Sequence, residues 1–265
     1  MDGANFVGGA SFEVIRAGDT FPNFHTSITL VRAGGRVILV DPGYISDERH
    51  LWAGLRSTGV APEAVDLVLN THSHLDHCAS SRHFPRDRVV FHRREVEDMA
   101  RLLALAAAPG GLERTLAQRF GMTGRQARAC AQIVVSGRGA LSDLLGPAGT
   151  GAGLVLLDGE AEVAPGVRVI ETPGHTAGHL SLLVETAGEG LVLVAGDAIA
   201  TATDLCGGPV PMLTGDAAGF LATRQRLLEL DWRVVIPGHG PPQRRDAATG
   251  AAGSQAATGS ATGGG

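Results

Sequence analysis

The chain has 265 residues, of which 44% are apolar and 18% charged, a composition that predicts a folded globular protein with a large core. Its net charge is −5 and its 22 basic residues are all arginine, which excludes Schiff-base and P-loop lysine chemistry. No apolar run approaches the roughly 18–20 residues of a membrane span, and the first residues lack the features of a secretory signal. Three cysteines without paired spacing exclude a disulfide scaffold, so we expect a cytoplasmic protein.

Short strands and helices alternate along the chain. In the N-terminal part, residues 28–31 and 36–40 are predicted to form paired strands, and residues 47–57 to form a helix. Further strands are expected at 65–70 and 89–91. In the C-terminal part the predicted strands are 167–171, 180–185, 191–195 and 234–236, with an amphipathic helix at 220–230. This order favours an α/β sandwich in which helices cover two central sheets.

Two segments depart from this alternation. Residues from about 92 to 147 have no strand pattern and predict two or three helices inserted into a domain that spans residues 1–245. Between Arg82 and Arg138 there are eleven arginines and five acidic residues, so this insertion is basic. Residues 246–265 contain mainly Ala, Gly, Thr and Ser, and predict a disordered tail because they cannot bury apolar surface.

The most informative motif is an H-x-H-x-D-H run directly after the predicted strand 65–70. His72 and His74 are two residues apart, so in an extended loop they point to the same side. Asp76 and His77 are adjacent and would project in different directions from the first turn of a helix. Imidazole nitrogens and carboxylate oxygens suit Zn²⁺, so this loop is predicted to serve two metal ions.

Three further candidates follow other predicted strands. His175 comes after Thr-Pro-Gly, Asp197 follows a glycine at the end of an apolar strand, and His239 lies between two glycines. Glycine lets the backbone turn sharply and come close to a ligand. Together with the motif these residues give seven candidate ligands, as a closely spaced two-metal site requires.

These seven residues match the metal motifs of the metallo-β-lactamase superfamily. The chain resembles that superfamily from about residue 23 to residue 243. The resemblance implies a four-layer αββα sandwich. It also implies that His72, His74 and His175 bind one metal, that Asp76, His77 and His239 bind a second, and that Asp197 bridges them. Asp41, after the strand 36–40, matches an aspartate that supports such ligands without binding metal.

The remaining histidines have simpler interpretations. His179 is predicted to support the site or the fold rather than to bind metal. His25, His50, His83 and His92 are expected to be ordinary surface or hydrogen-bonded residues.

The resemblance implies a hydrolase with two zinc ions, iron or manganese being the alternatives. A hydroxide bridging the metals would attack an ester-like bond in a lactone, carboxylic ester or thioester. Asp76 is the expected catalytic residue because it would both bind metal and orient the hydroxide. The proton donor to the leaving group stays open between Asp76 and a metal-bound water.

Differences from particular branches of the superfamily reduce the number of possible substrate classes. Zinc β-lactamases lack a carboxylate at the position of Asp197. Glyoxalase II enzymes, which the chain also resembles, carry a C-terminal helical domain, whereas only a short polar tail follows His239 here. The chain resembles the branch of lactonases and small-ester hydrolases in residues 171–176. Acyl-homoserine lactonases have a tyrosine three residues after the bridging aspartate, where this chain has Ala200. Its only tyrosine, Tyr44, is a conjectural substitute.

The basic insertion raises two alternatives. If Arg93, Arg94, Arg101 or Arg114 line the mouth of the site, the small-molecule substrate is anionic. Otherwise these arginines form a solvated face or a homodimer contact.

Two other functions stay open at this stage. One is phosphodiester hydrolysis by a small nuclease-like member of the superfamily, although the negative net charge argues against a nucleic-acid partner. The other is a non-hydrolytic, iron-binding redox or sensor protein.

Overall fold

Two β-sheets lie face to face in this computed structural model, which describes residues 9–20, 23–245 and 252–253. The first sheet is mixed: its first three strands are antiparallel, and the third to sixth are parallel. In spatial order its strands are β1 (Ser11–Arg16), β2 (Ile28–Ala33), β3 (Arg36–Val40), β4 (Leu67–Leu69), β5 (Val89–His92) and β6 (Val155–Leu157).

The second sheet has seven strands and is antiparallel except for one parallel pair, β10 with β11. Its strands are β7 (Ala161–Ala164), β8 (Val167–Glu171), β9 (Leu180–Thr186), β10 (Gly190–Gly196), β11 (Val234–Pro237), β12 (Gln243–Arg245) and β13 (Ala252–Gly253). Apart from β13, the predicted disordered tail lies outside the described residues.

Six α-helices accompany the sheets in the described part of the chain. They are α1 (Glu48–Ser57), α2 (Leu75–Cys78), α3 (Arg93–Ala107), α4 (Gly111–Phe120), α5 (Gly124–Leu145) and α6 (Ala217–Glu229). Helices α3, α4 and α5 follow one another between β5 and β6, where the sequence predicts two or three inserted helices. None of the described helices is both long and apolar enough to cross a membrane; the cytoplasmic location stays a prediction.

The layers follow from the two-residue period of the strands. In β2, Leu30 packs with the outer helices while its neighbour Val31 packs against the second sheet. In β9, Leu182 faces the first sheet, whereas Leu183 joins the cluster beneath α6. Three apolar layers therefore separate four layers of secondary structure, which confirms the predicted αββα sandwich.

Several element boundaries differ from the sequence prediction. Helix α6 begins at Ala217, three residues before the predicted start, because the Asp216 side chain accepts a hydrogen bond from the Gly219 N–H at 3.0 Å. Strands β1, β6 and β7 were not predicted, since their residues are mostly half-buried or exposed and lack a strong apolar pattern. These strands lie at or near sheet edges, where burial constrains the sequence least.

Candidate metal centre

All seven candidate ligands lie at one end of the sandwich, on loops that leave four strands. The His-rich run follows β4, while His175, Asp197 and His239 follow β8, β10 and β11 respectively. Because β10 and β11 are parallel neighbours, their C-terminal ends deliver Asp197 and His239 side by side. Both sheets therefore contribute to the same site.

The first group of converging atoms comes from His72, His74, His175 and Asp197. Each residue offers one nitrogen or oxygen, and these atoms all lie within 4.8 Å of one another. The His175 Nε2 atom lies 3.0 Å from His74 Nδ1 and 3.2 Å from Asp197 Oδ2. Such a cluster of potential lone pairs has the donor types and number that a divalent transition-metal ion takes.

The second group comes from Asp76, His77 and His239, also within 4.8 Å. The Nε2 atoms of the two histidines are 3.4 Å apart, and Asp76 Oδ2 lies 3.4 Å from His239 Nε2. The Asp197 Oδ1 atom is 3.4 Å from both histidine Nε2 atoms, while its Oδ2 faces the first group. Asp197 thus lies between the two groups, one oxygen towards each.

Hydrogen bonds at the opposite ring nitrogen orient four of the five histidines. In this arrangement one ring nitrogen is anchored to the protein and the other faces the site, as in metal-binding histidines. The anchored pairs are His72 Nδ1 with Thr71 Oγ1 (3.0 Å), His77 Nδ1 with Asp41 Oδ2 (2.8 Å), His175 Nδ1 with Thr214 Oγ1 (3.4 Å) and His239 Nδ1 with the His25 carbonyl (3.1 Å).

Asp41 sits where β3 ends and is buried among donors. Its Oδ1 accepts from the Thr71 N–H at 2.7 Å, and its Oδ2 accepts from Thr71 Oγ1 at 2.7 Å and from His77 Nδ1 at 2.8 Å. The carboxylate therefore fixes the proton of His77 on Nδ1 and leaves Nε2 free to face the site. This geometry agrees with a supporting role and does not bring Asp41 itself into either group.

His179 is also engaged at both ring nitrogens. Its Nδ1 lies 2.7 Å from Thr172 Oγ1, and its Nε2 accepts the Asp197 backbone N–H at 3.1 Å. Burial, with repulsion from nearby histidines, lowers the pKa of His179 to about 3, so the ring is neutral and can accept that hydrogen bond. His179 thereby holds the backbone of Asp197 and has no nitrogen left for a metal.

The pKa shifts of the histidines differ between the two groups. Burial and neighbouring imidazoles lower the pKa of His72 well below its usual value, and burial does the same for His175. For His239, burial acts to lower the pKa, but Asp197 outweighs it and raises the pKa to about 9. The pKa of His77 is raised well above normal in the same way by Asp197 and Asp41. The charge of Asp197 thus acts on histidines of both groups.

Buried polar atoms without a partner mark the centre of the site. The Nε2 atom of His72 and Oδ1 of Asp197 are buried and form no hydrogen bond within the described residues. Leaving such atoms unpaired is costly unless they bind something else. Gly238 makes room here, since a Cβ at that position would lie 1.9 Å from Asp197 Oδ1. The donor set and these unpaired atoms fit bound metal ions.

Residues 214–216 also contact the site, which no pattern in the sequence predicts. Gly215 N–H donates to the His175 carbonyl at 2.9 Å, and Asp216 N–H donates to the Gly174 carbonyl at 2.9 Å. Leu213 packs into a small apolar cluster formed by α4 and α5. The helical insertion is therefore joined to the loop that carries His175.

Four arginines of the insertion are candidates for lining the mouth of the site, and the structure shows their contacts. Arg93 forms a two-point ion pair with Asp158, and Arg101 pairs with Asp98 on its own helix. The Arg114 side chain donates to the carbonyl of Pro109 (3.5 Å), and that of Arg94 to the carbonyl of Ala177 (3.4 Å). Carboxylates therefore neutralise Arg93 and Arg101, and the anionic substrate stays a prediction.

Comparison with known families is decisive at this point, because residues 22–239 match the family model of the metallo-beta-lactamase superfamily. The chain belongs to that superfamily. Among curated relatives, an N-acyl homoserine lactonase of Bacillus sp is 39% identical over 93 residues, which cover 34% of this chain and 37% of that protein. The N-acyl homoserine lactonase of Bacillus cereus is 26% identical over 204 residues, 76% of this chain and 66% of the relative.

Among solved structures, AidC, described as a dizinc quorum-quenching lactonase, superposes with a TM-score of 0.60 at 16% identity. The superposition covers 86% of this chain and 77% of that one. At this level of identity the match shows a shared fold.

Proposed function

We propose that the protein is a binuclear metal-dependent hydrolase that cleaves an ester-like bond in a small molecule. The observation that carries this proposal is the pair of ligand groups joined by Asp197, whose two oxygens face opposite groups. A site with two adjacent metals and a shared carboxylate suits hydrolysis, because it can hold a water and a substrate oxygen together. The lactonase relatives support the same reaction class.

The assignment of ligands follows the two groups. His72, His74 and His175 bind the first metal, and Asp76, His77 and His239 bind the second, with Asp197 common to both. Nitrogen and carboxylate donors suit zinc, and the dizinc description of AidC supports this choice. When bound, the metals supply Lewis acidity, which lowers the pKa of water and polarises a carbonyl.

Asp76 is the residue that we assign to proton transfer. Its side chain is 34% exposed, whereas those of His239 and Asp197 are 10% and 8% exposed. Its carboxylate therefore faces the opening of the site while remaining within 3.4 Å of His239 Nε2. From this position it can orient an attacking water and carry a proton to the leaving group.

The substrate class is a lactone, carboxylic ester or thioester. Ala200 replaces the tyrosine expected of acyl-homoserine lactonases, and its carbonyl accepts the His239 N–H at 2.6 Å. The Tyr44 hydroxyl lies 2.9 Å from Ser136 Oγ on α5, so it is engaged by the insertion. This chain must therefore stabilise the oxyanion without a tyrosine at position 200.

Arg119 on α4 is our candidate for binding a negative charge on the substrate. It is exposed and forms no ion pair with the residues that the structure describes. Its Nη2 atom lies 3.3 Å from the point that a Cβ on Gly215 would occupy, and the His175 carbonyl lies 3.5 Å from that point. Its guanidinium lies 5.5 Å from the centre of the Phe120 ring, and without a carboxylate partner so close to a ligand loop it suits a carboxylate or phosphate group of the substrate.

A substrate panel on zinc-loaded protein tests the proposal. We expect hydrolysis of lactones, esters or thioesters, and loss of more than 100-fold in kcat for Asp76→Asn when it is assayed with zinc in excess, so that a weakened second metal still binds. Arg101→Gln serves as a control, because Arg101 is paired on the outer helix. Turnover of bis(p-nitrophenyl) phosphate far above every ester would contradict the substrate class, and iron without hydrolysis would contradict the reaction.

A further inference from the structure

A buried glutamate in the helical insertion joins the two loops that carry the first ligand group. Glu95 lies in the first turn of α3 and is 0% exposed. Its Oε2 accepts from the Ser73 N–H at 2.8 Å and from Ser73 Oγ at 2.6 Å, and its Oε1 accepts from the Gly178 N–H at 2.8 Å. We propose that Glu95 is a positioning residue that sets the spacing of the first metal's ligands.

The positions of its partners in the chain give this contact its meaning. Ser73 lies between His72 and His74, and Gly178 lies three residues after His175. One carboxylate therefore binds backbone donors of both loops that supply histidines to the first group. If Glu95 shifts, the His74 Nδ1 to His175 Nε2 distance of 3.0 Å must change with it.

Glu95 is well suited to hold these loops rigidly. Among the described residues it has no cationic partner, so its charge depends on the three donors from the two loops. A buried carboxylate without such donors is strongly disfavoured, which makes each of these hydrogen bonds difficult to exchange. The contact is thus a stiff link and not an adaptable surface pair.

The backbone around Glu95 is built for the same contact. His92 caps α3, since its Nδ1 accepts the Arg94 N–H at 3.1 Å. A Cβ on Gly178 would lie 2.7 Å from His92 Nδ1 and 3.0 Å from Glu95 Oε1. Only a glycine at 178 allows the loop to come this close to α3, so the approach depends on a residue without a side chain.

This role of Glu95 rests on the proposed binuclear site. It makes the inserted helices part of the metal site, because α3 provides the residue that aligns the ligands of the first metal. Residues that orient metal ligands typically alter metal affinity by 10–100-fold when they are replaced. The same range is therefore expected for Glu95.

The test compares Glu95→Gln with a control, Glu97→Gln. Glu97 is an exposed glutamate of the same helix, and its only ion pair among the described residues is with Arg101. Glutamine keeps the size of the side chain but replaces one accepting oxygen with a donor that opposes a loop N–H. Zinc affinity is measured by competition with a chromophoric chelator, and ligand geometry by the visible spectrum of the cobalt-substituted protein.

We expect Glu95→Gln to weaken the first zinc by about 10–100-fold and to alter the cobalt spectrum, while Glu97→Gln matches the wild type. Native affinity and spectrum in Glu95→Gln would overturn the inference, as would an equal loss of melting temperature with and without metal. Should Glu95→Gln fail to fold, Ser73→Ala removes one donor and decides in the same assay, with unchanged affinity again overturning it. Failure of the wild type to bind zinc would instead refute the proposed function.

Discussion

Replacing Asp41 with asparagine offers a sharp test of how the second ligand group is held. Asp41 has a φ of 49°, in the left-handed region that asparagine tolerates better than most residues. The variant therefore keeps the size and the backbone conformation of the native residue. What changes is one oxygen, the Oδ2 that accepts from Thr71 Oγ1 and His77 Nδ1.

The size of the effect follows from the protons involved. If the amide oxygen keeps the bond to the Thr71 N–H, the amide NH₂ must face His77 Nδ1, which then has to accept. His77 then loses the Nδ1 proton that Asp41 holds in the native protein and keeps one on Nε2, the atom that lies 3.4 Å from His239 Nε2. Metal binding must reverse this tautomer, so we expect affinity for the second metal to fall about 10–100-fold, or about 1.4–2.8 kcal/mol.

Stepwise chelator competition, followed by metal analysis of the dialysed protein, measures the loss. The first metal should be affected less than the second, because Asp41 reaches its ligand His72 only through Thr71 Oγ1. Asp66→Asn is the control, since Asp66 also accepts a backbone N–H, that of Val37 at 2.8 Å, but lies on the surface. Two metals bound with native affinity in Asp41→Asn, or loss of the first metal alone, would refute the reasoning.

Three other properties can be checked directly. Because the pKa values of His77 and His239 are raised, the latter to about 9, both rings carry protons at pH 7 in chelator-stripped protein; zinc titrations in buffers of different ionisation enthalpy should show proton release at pH 7, and the contribution of His239 should vanish well above pH 9. Arg224→Ala leaves the buried carboxylate of Asp204 without its 2.9 Å partner and should lower the free energy of unfolding in urea by about 3–5 kcal/mol; a loss below 1 kcal/mol would contradict this. Burial raises the pKa of the Cys78 thiol, so it should react with Ellman's reagent only after denaturation.

The seven candidate ligands could be predicted because they carry strong local signals. Four lie in one compact motif, and the others follow strands and are flanked by glycines, as with His239 between Gly238 and Gly240. Strand ends in an α/β sandwich converge, so residues distant in sequence meet there. The structure brings these seven into the two groups that the resemblance implies.

The residues that support the site could not be found in this way. Glu95 looks like any acidic residue in the first turn of a helix, and only the fold places it against Ser73 and Gly178. Thr214 likewise contacts His175, and Arg119 approaches Gly215 beside it, only because distant segments of the chain pack together. Sequence patterns record burial and local geometry, whereas these partnerships depend on how the insertion packs.

The division of the ligands between the sheets has a consequence for the whole molecule. His72 and His74 follow a strand of the first sheet, while His175 and Asp197 follow strands of the second. A cation held by all four would staple the N-terminal and C-terminal halves together at one end, much as a cross-link would. Loss of the metal would then let the two halves separate more easily at that end. Because proteases cleave opened chains, metal supply would govern how long the protein survives proteolysis.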